Sequence, residues 1–273
     1  MKTLAVILTV LSYNVHGLDA WLVDDDPQAR LPQISERLDK YDVVLVQEIW
    51  SYFGLLSALA THPVRERGNG PDPGTLFQTG LATFARPPLV AVSRGSLGAC
   101  SGWLSGGSDC FADKGYLRVR LRLENGVALD FWNLHLDAGD GDDDRAARAL
   151  QLDHLVERVR SLSGHGALVI AGDFNLPAET ALDHRLLVRF VQALELVDSG
   201  ARSATEGRFA GKHIDYILYR DGPGVSLEPL EVGEAREFSD GPAPLSDHPA
   251  LFAKLKVTPV AEPGPPRAKS DED

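Results

Sequence analysis

Cysteine, methionine and basic charge are all scarce in this 273-residue chain. Its two cysteines exclude a disulfide-scaffolded small fold and a four-cysteine zinc site. Lysine and arginine number 27 against 39 aspartates and glutamates, a formal net charge of −12. That balance argues against a protein that grips nucleic acid along a broad basic face. It leaves open a phosphate-ester substrate met through cations, because carboxylates that hold divalent ions add to the negative count. Long apolar runs are missing too. Nothing approaches the ~18 to 20 residues needed to cross a bilayer, so no transmembrane segment is expected. What is present is ordinary: 44% hydrophobic and 24% charged residues. This excludes global disorder, collagen-like repeats and coiled coil.

The two ends differ. Leu4 to Leu11 reads as a buried first strand; a short signal peptide is the alternative, but no small-x-small cleavage site follows. From about Thr258 the chain is rich in proline and charge, and a disordered tail is expected over residues 258–273. Residues 1–257 show no linker and read as one domain.

Between the ends, strand-like and helix-like segments alternate. Strands are predicted at Leu4–Tyr13, Asp42–Gln47, Leu81–Ala85, Leu89–Ser93, Tyr116–Leu123, Val127–Leu136, Ala167–Ala171, Ile214–Tyr219, Val225–Leu230 and Pro249–Val257. Asn125-Gly126 marks a tight hairpin. Helices are predicted over Arg30–Tyr41, with Pro32 in the first turn, and over Ser51–Ala60, Asp142–Leu162 and Thr180–Leu194. The third carries Leu152, Leu155, Val156, Val159 and Leu162 on one stripe. Its acidic start, Asp142 to Asp144, reads as a helix N-terminus rather than a calcium site. Asp24 to Asp26 reads as solvated loop. Pro63–Gly80 and Gly95–Asp113 read as loops. Crossovers together with hairpins indicate a mixed-sheet α/β or α+β domain.

Polar residues sit where apolar runs end. Asn14 closes the first strand, and Gln47 and Glu48 the second. His135 lies near the end of a long strand. Asp173 and Asn175 follow ALVIAG, Asp215 opens a strand, and Asp247 and His248 precede the last one. Strand ends of layered α/β folds point side chains into a shared crevice. Carboxylates and carboxamides without a cysteine or histidine cluster suit a hard cation such as Mg²⁺ or Mn²⁺. Two histidines beside carboxylates suit acid–base chemistry. The combination suits attack of water on a phosphate ester.

The motifs LSYNVHGL, LVQEIW, WNLHLDAG, IAGDFN, HIDYILY and LSDHPAL, in that order, resemble the endonuclease/exonuclease/phosphatase superfamily. The resemblance runs over roughly residues 4 to 257 and implies a four-layered α/β sandwich, two packed mixed sheets flanked by helices. It implies that Glu48 holds the metal, Mg²⁺ or Mn²⁺, with Asn14 and Asp247 close to the same ion. Asp173 would align or activate water, and Asn175 would hold a phosphate oxygen. His248, oriented by Asp215, would be general base or phosphate contact, and His135 general acid or transition-state stabiliser. Asp109 and Lys114 fall in Asp-Cys-Phe-Ala-Asp-Lys-Gly, similar to the Asp-x-x-x-x-Lys-Gly stretch of neutral sphingomyelinases, where such a pair forms a switch beside the site. A phospholipid headgroup ester is therefore the favoured substrate, with peripheral membrane contact. Alternatives are a metal-dependent nuclease on DNA or RNA, and an inactive binding module on the same fold.

Some features stand apart. His16 holds a position where some nucleases of the superfamily have an acidic residue, and is either a site contact or a loop residue. Glu231–Leu245 offers only Val232, Phe238 and Leu245 as apolar side chains; Trp103 and Leu104 could meet an interface. Cys100 and Cys110 could close a disulfide if the protein is exported, the compartment favoured over the cytoplasm. A monomer is expected.

Overall fold

A computed structural model of the chain describes residues 4–19, 25–69, 78–102, 109–201, 213–241 and 243–261. Its twelve strands are β1 (Val6–Asn14), β2 (Val43–Gln47), β3 (Val64–Arg67), β4 (Ala82–Ala85), β5 (Leu89–Ser96), β6 (Gly115–Arg122), β7 (Ala128–His135), β8 (Leu168–Asp173), β9 (Val197–Asp198), β10 (Asp215–Arg220), β11 (Val225–Glu234) and β12 (Leu251–Pro259). Four helices accompany them: α1 (Pro27–Leu38), α2 (Phe53–Ser57), α3 (Asp142–Ser163) and α4 (Ala181–Ala193).

The strands form two six-stranded sheets, ordered β11-β12-β1-β2-β4-β3 and β5-β6-β7-β8-β10-β9. Each is mixed: β1–β2 and β7–β8 are the parallel pairs, and the other pairings are antiparallel. Because side chains alternate along a strand, each sheet has an inner and an outer face. Leu8, Val10, Val43, Leu45, Ala253 and Leu255 of the first sheet meet Val119, Leu129, Phe131, Val169, Ala171 and Ile217 of the second. The outer face of the first sheet, with Leu11, Tyr13, Val44 and Val46, packs on α1 and α2. The outer face of the second, with Trp132, Leu134, Ile170 and Leu218, packs on α3 and α4. The result is a four-layered sandwich of helix, sheet, sheet and helix.

Several elements depart from the sequence reading. Helix α1 starts at Pro27, not Arg30: Asp26 Oδ1 caps it by accepting from Ala29 N at 3.2 Å, and proline is pre-organised for the first helical position. Asp26 is thus a cap rather than solvated loop, and Pro32 lies inside the helix instead of its first turn. Helix α2 is a single short turn. Within the expected loop over residues 63–80, Val64–Arg67 forms edge strand β3 on β4; its charged side chains hide the strand signal. The two-residue β9 had no sequence signal. Strand β12 extends through Pro259, two residues into the segment expected to be tail, because β11 reaches far enough to pair with it. Residues 262–273 lie outside the described part.

The alternation also explains how the core gives way to a site. Toward one end of the sandwich the inward positions turn polar. Gln47 Nε2 donates to Asn133 Oδ1 across the sheets at 2.7 Å. Asn133 Nδ2 donates to the carbonyls of Val46 and Ala82, both at 2.9 Å. All three contacts are buried, where an unmade hydrogen bond costs more than a made one gains. Replacing Asn133 by alanine is expected to destabilise the fold by about 2–4 kcal/mol, read as a lower urea midpoint at unchanged slope. A loss under about 1 kcal/mol would show that the sheets do not depend on this bridge.

Candidate active site

One layer beyond the Gln47–Asn133 bridge, the inward-facing strand ends converge. Asn14 ends β1, His135 ends β7, Asp173 ends β8 and Asp215 opens the antiparallel β10. Register aligns them: His135 and Asp215 are both paired with Asp173, and Asn14 with Gln47. Glu48 follows β2 directly, and Asp247 and His248 sit just before β12.

Asp173 is the centre. Its Oδ2 accepts from Asn14 Nδ2 at 3.1 Å and lies 3.6 Å from His135 Nε2 and 3.7 Å from His248 Nε2. Its Oδ1 accepts from the backbone N of Asn175 at 2.9 Å. Asn14 Nδ2 also donates to Glu48 Oε1 at 2.9 Å, and His135 Nε2 is 3.9 Å from the same oxygen. Asp215 Oδ2 lies 2.9 Å from His248 Nδ1 and turns the other ring nitrogen toward Asp173. Asn175 Nδ2 donates to the carbonyl of Leu136 at 3.1 Å. Asp247, half exposed, stands at the rim.

The backbone is held in unusual conformations to achieve this. Among the described residues, four that are not glycine have positive φ, and three of them are His16 (47°), Glu48 (59°) and Asn175 (49°). Such conformations persist where the surroundings over-determine them. Gly17 supplies one such constraint: its N donates to the Glu48 carbonyl at 2.9 Å, and a Cβ there would sit 2.5 Å from that oxygen.

The electrostatics are crowded. Burial, then the neighbouring Asp215, push the Asp173 carboxyl up to about 7, with Glu48 adding to the rise and His248 opposing it. Burial lowers the His135 imidazole well below its ordinary range, and the nearby charges of Lys114 and His248 lower it further. Burial also works against a charged His248, but the carboxylates of Asp215, Asp173 and Asp247 outweigh it and raise this imidazole well above its usual value. Lys114 is therefore close enough to act on the site, and its side chain is buried.

The donor set fits a hard divalent cation. Glu48, His135 and Asp173 bring one ligand atom each to within 4.8 Å of one another, as do Asp173, Asp215 and His248. A cation among these oxygens offsets the like-charge crowding that lifts Asp173.

The structure thus brings together Asn14, Glu48, His135, Asp173, Asn175, Asp215 and His248, with Asp247 and Lys114 at the margin. The side chain of Asp109 lies outside the described part, as do Trp103 and Leu104; the backbone of Asp109 opens a short 3₁₀ turn ending at Phe111. Cys100 and Cys110 are bridged, with Cα atoms 5.2 Å apart. Phe238 and Leu245 are buried, Phe238 against Tyr13 and Tyr41, so neither presents an apolar tip.

Ser246 and Arg30, which are not among the predicted site residues, support the site. Ser246 Oγ donates to the carbonyl of Asn14 at 2.7 Å. Arg30 donates to the carbonyls of Val15 (3.1 Å), His16 (2.8 Å) and Leu245 (2.5 Å) and pairs with Asp25 at 2.7 Å. It therefore ties the segment after β1 to the segment before Asp247. Ser246 falls inside the LSDHPAL motif, and for Arg30 the available signal was Asp26, the cap of the helix that carries it.

With this geometry in view, comparison with known proteins is decisive on family. The model of the endonuclease/exonuclease/phosphatase family matches residues 11–248. The chain belongs to that family. It is 29% identical over 272 residues to a sphingomyelinase of Mycobacterium tuberculosis, covering 90% of this chain and 52% of that protein. It is 26% identical over 286 residues to a putative neutral sphingomyelinase of Drosophila melanogaster, covering 92% and 61%. The chain spans about half the length of the mycobacterial relative. Among solved structures, sphingomyelinase C from Streptomyces griseocarneus superposes with a TM-score of 0.69 at 19% identity, over 91% of this chain and 99% of that one. A beta toxin variant from Staphylococcus aureus with bound magnesium ions gives 0.71 at 18% identity, over 91% and 99%. These structural likenesses establish the shared fold.

The His248–Asp215 contact predicts a measurable titration. In metal-free protein the His248 ring is expected to stay protonated above the ordinary histidine range, because its charged form has carboxylate partners. Asp215→Asn removes the strongest of them and should bring the midpoint down in an NMR pH titration. An unchanged midpoint would show that Asp215 does not set the charge of His248.

Proposed function

We propose that this domain is a divalent-metal-dependent phosphodiesterase that cleaves a phospholipid headgroup ester in the manner of a sphingomyelinase. The observation that carries this reading is the convergence on Asp173 of Glu48, Asn14, His135 and the Asp215–His248 pair, drawn from both sheets. The sphingomyelinases among its relatives, and Lys114 beside the site, support the choice of substrate class.

Glu48, with Asn14 and Asp247 near it, would hold the cation, Mg²⁺ or Mn²⁺. Such an ion supplies Lewis-acid stabilisation of charge on the phosphate oxygens. The remaining work falls to the chain itself. Asp173, its Oδ2 facing both histidines, aligns a water and takes its proton. His248, kept cationic by Asp215, contacts the phosphate. His135, kept neutral by burial and by Lys114, donates a hydrogen bond to an equatorial oxygen, and the Lys114 ammonium adds positive charge there. Asn175 holds a further phosphate oxygen. The bond from phosphorus to the water oxygen forms as the bond to the lipid oxygen breaks, and the departing oxygen takes its proton from the His248 imidazolium to leave as the alcohol. Peripheral contact with a membrane, an exported location consistent with the Cys100–Cys110 bridge and a monomeric state belong to the same reading.

The test is phosphocholine release from sphingomyelin vesicles with Mg²⁺. The parent protein should release it, while Asp247→Ala loses it and Asp173→Asn slows it by about 10²-fold or more. Release from DNA or RNA but not from lipid would move the substrate to nucleic acid. Binding of metal without turnover on any phosphodiester would leave a binding module.

The bridge gives a second prediction. Cys110→Ser should turn over more slowly than the parent under oxidising conditions and match it in reductant, if the bridge positions the segment leading to Lys114. An equal deficit in both would separate the bridge from function.

A further inference from the structure

His16 is a histidine of the crevice that the mechanism above does not use, and its surroundings point to a ligand. Its Nδ1 lies 3.3 Å from Asp247 Oδ2 and 3.7 Å from Glu48 Oε2. These are too long for charge-assisted hydrogen bonds, which run ~2.7–2.9 Å. They are near the spacing of adjacent donors around one cation, about 3.0 Å on an octahedral ion with ~2.1 Å arms. Behind the ring, Nε2 faces Asp25 Oδ2 at 4.0 Å, a gap that a small ring rotation or one water closes. Asp25 is itself fixed by Arg30 at 2.7 Å. A carboxylate behind a histidine whose other nitrogen faces ligand oxygens is the arrangement that orients metal-binding imidazoles.

The backbone of His16 is held as firmly as its ring. Its N donates to Asn14 Oδ1 at 3.0 Å, and its carbonyl accepts from Arg30 Nη2 at 2.8 Å. Its φ of 47° is one that few side chains adopt without cause.

We propose that His16 Nδ1 completes the cation site of Glu48 and Asp247, with Asp25 and Arg30 as its positioning pair. The reading deepens the metal-dependent one above and rests on it. A nitrogen donor in an otherwise oxygen-lined site shifts preference away from Mg²⁺ toward later first-row ions such as Co²⁺. The chain should therefore bind Co²⁺ and Mn²⁺ more tightly, relative to Mg²⁺, than an all-oxygen site would.

The experiment loads metal-free protein with Mn²⁺ alone and records pulsed electron paramagnetic resonance, in which a coordinated imidazole gives a nitrogen modulation. The parent and His135→Gln should show it, and His16→Gln should lose it while still binding Mn²⁺. By calorimetry, His16→Gln should weaken Co²⁺ binding by about tenfold or more while changing Mg²⁺ binding less, and Asp25→Asn should weaken Co²⁺ in the same direction. His16→Asp should restore a preference for Mg²⁺. Modulation that survives in His16→Gln, or Co²⁺ and Mg²⁺ affinities that fall together, would overturn the assignment while leaving a metal at Glu48. Failure of the parent to bind Mn²⁺, with Glu48→Gln indistinguishable from it, would overturn the metal site itself.

Discussion

The arrangement of this site follows from one electrostatic constraint, the burial of Asp173 among other carboxylates. Taking a carboxylate out of water is unfavourable, and placing Asp215 and Glu48 nearby makes it more so. Everything packed around Asp173 can be understood as a response. Asn14 and the Asn175 backbone donate to it, His248 brings positive charge, and Asp215 keeps His248 charged. These groups do not remove the crowding, since the carboxyl still rests at about 7. Residual demand for positive charge suits the crevice to the cation and the water proton of the proposed function. A fold optimised only for stability would have filled these positions with apolar residues, as it does farther in between the sheets.

That deeper layer is what makes the crowding tolerable. The inner face of each sheet is apolar up to Ala171 and Leu45, then passes through the buried Gln47–Asn133 bridge before reaching charge. The bonds of such a buried amide bridge hold the two sheets in place, because breaking one strands its partner. The strand ends above it are therefore fixed with respect to each other, although they belong to different sheets. Strain at Glu48 and Asn175 is stored on this foundation.

Much of this was legible in the sequence for a simple reason. A strand's inward positions are set by period two, so a polar residue that closes an apolar run at an inward position lies just beyond the core. Asn14, His135 and Asp173 each carry that signal. The mixed sheets followed from crossovers and from the Asn125-Gly126 hairpin, which the structure forms between β6 and β7. What was not legible depends on partners distant in sequence or on backbone acceptors. Arg30 contacts Leu245 through a carbonyl, and any residue could supply that carbonyl. Strand β3 reads Val-Arg-Glu-Arg, and only pairing with β4 makes it a strand. The start of α1 is ambiguous in sequence because either Pro27 or Pro32 suits a first turn, and it is Pro27 that fills that role.

The segment between β5 and β6 shows how a shared scaffold can be given a particular chemistry. It leaves the sheet at Ser96 and returns at Gly115, so Lys114 is its last residue before the strand. Its two ends are joined where Leu97 N donates to the Lys114 carbonyl at 2.7 Å. Inside that neck, Gln151 of α3 donates to the Ala99 carbonyl, and Ser101 N donates to Asp137 Oδ2, at 2.7 and 2.9 Å. The Cys100–Cys110 bridge then cross-links the segment ten residues apart, lowering the entropy of its open forms. Four constraints on one excursion are more than a connection needs. They make sense if the segment must present a lysine at fixed depth beside His135, since a buried ammonium whose position wandered would cost desolvation without stabilising any reacting oxygen. Under the proposed function, carboxylates and histidines of the strand ends would provide the hydrolytic machinery, and this tethered segment would add the positive charge of Lys114 to it.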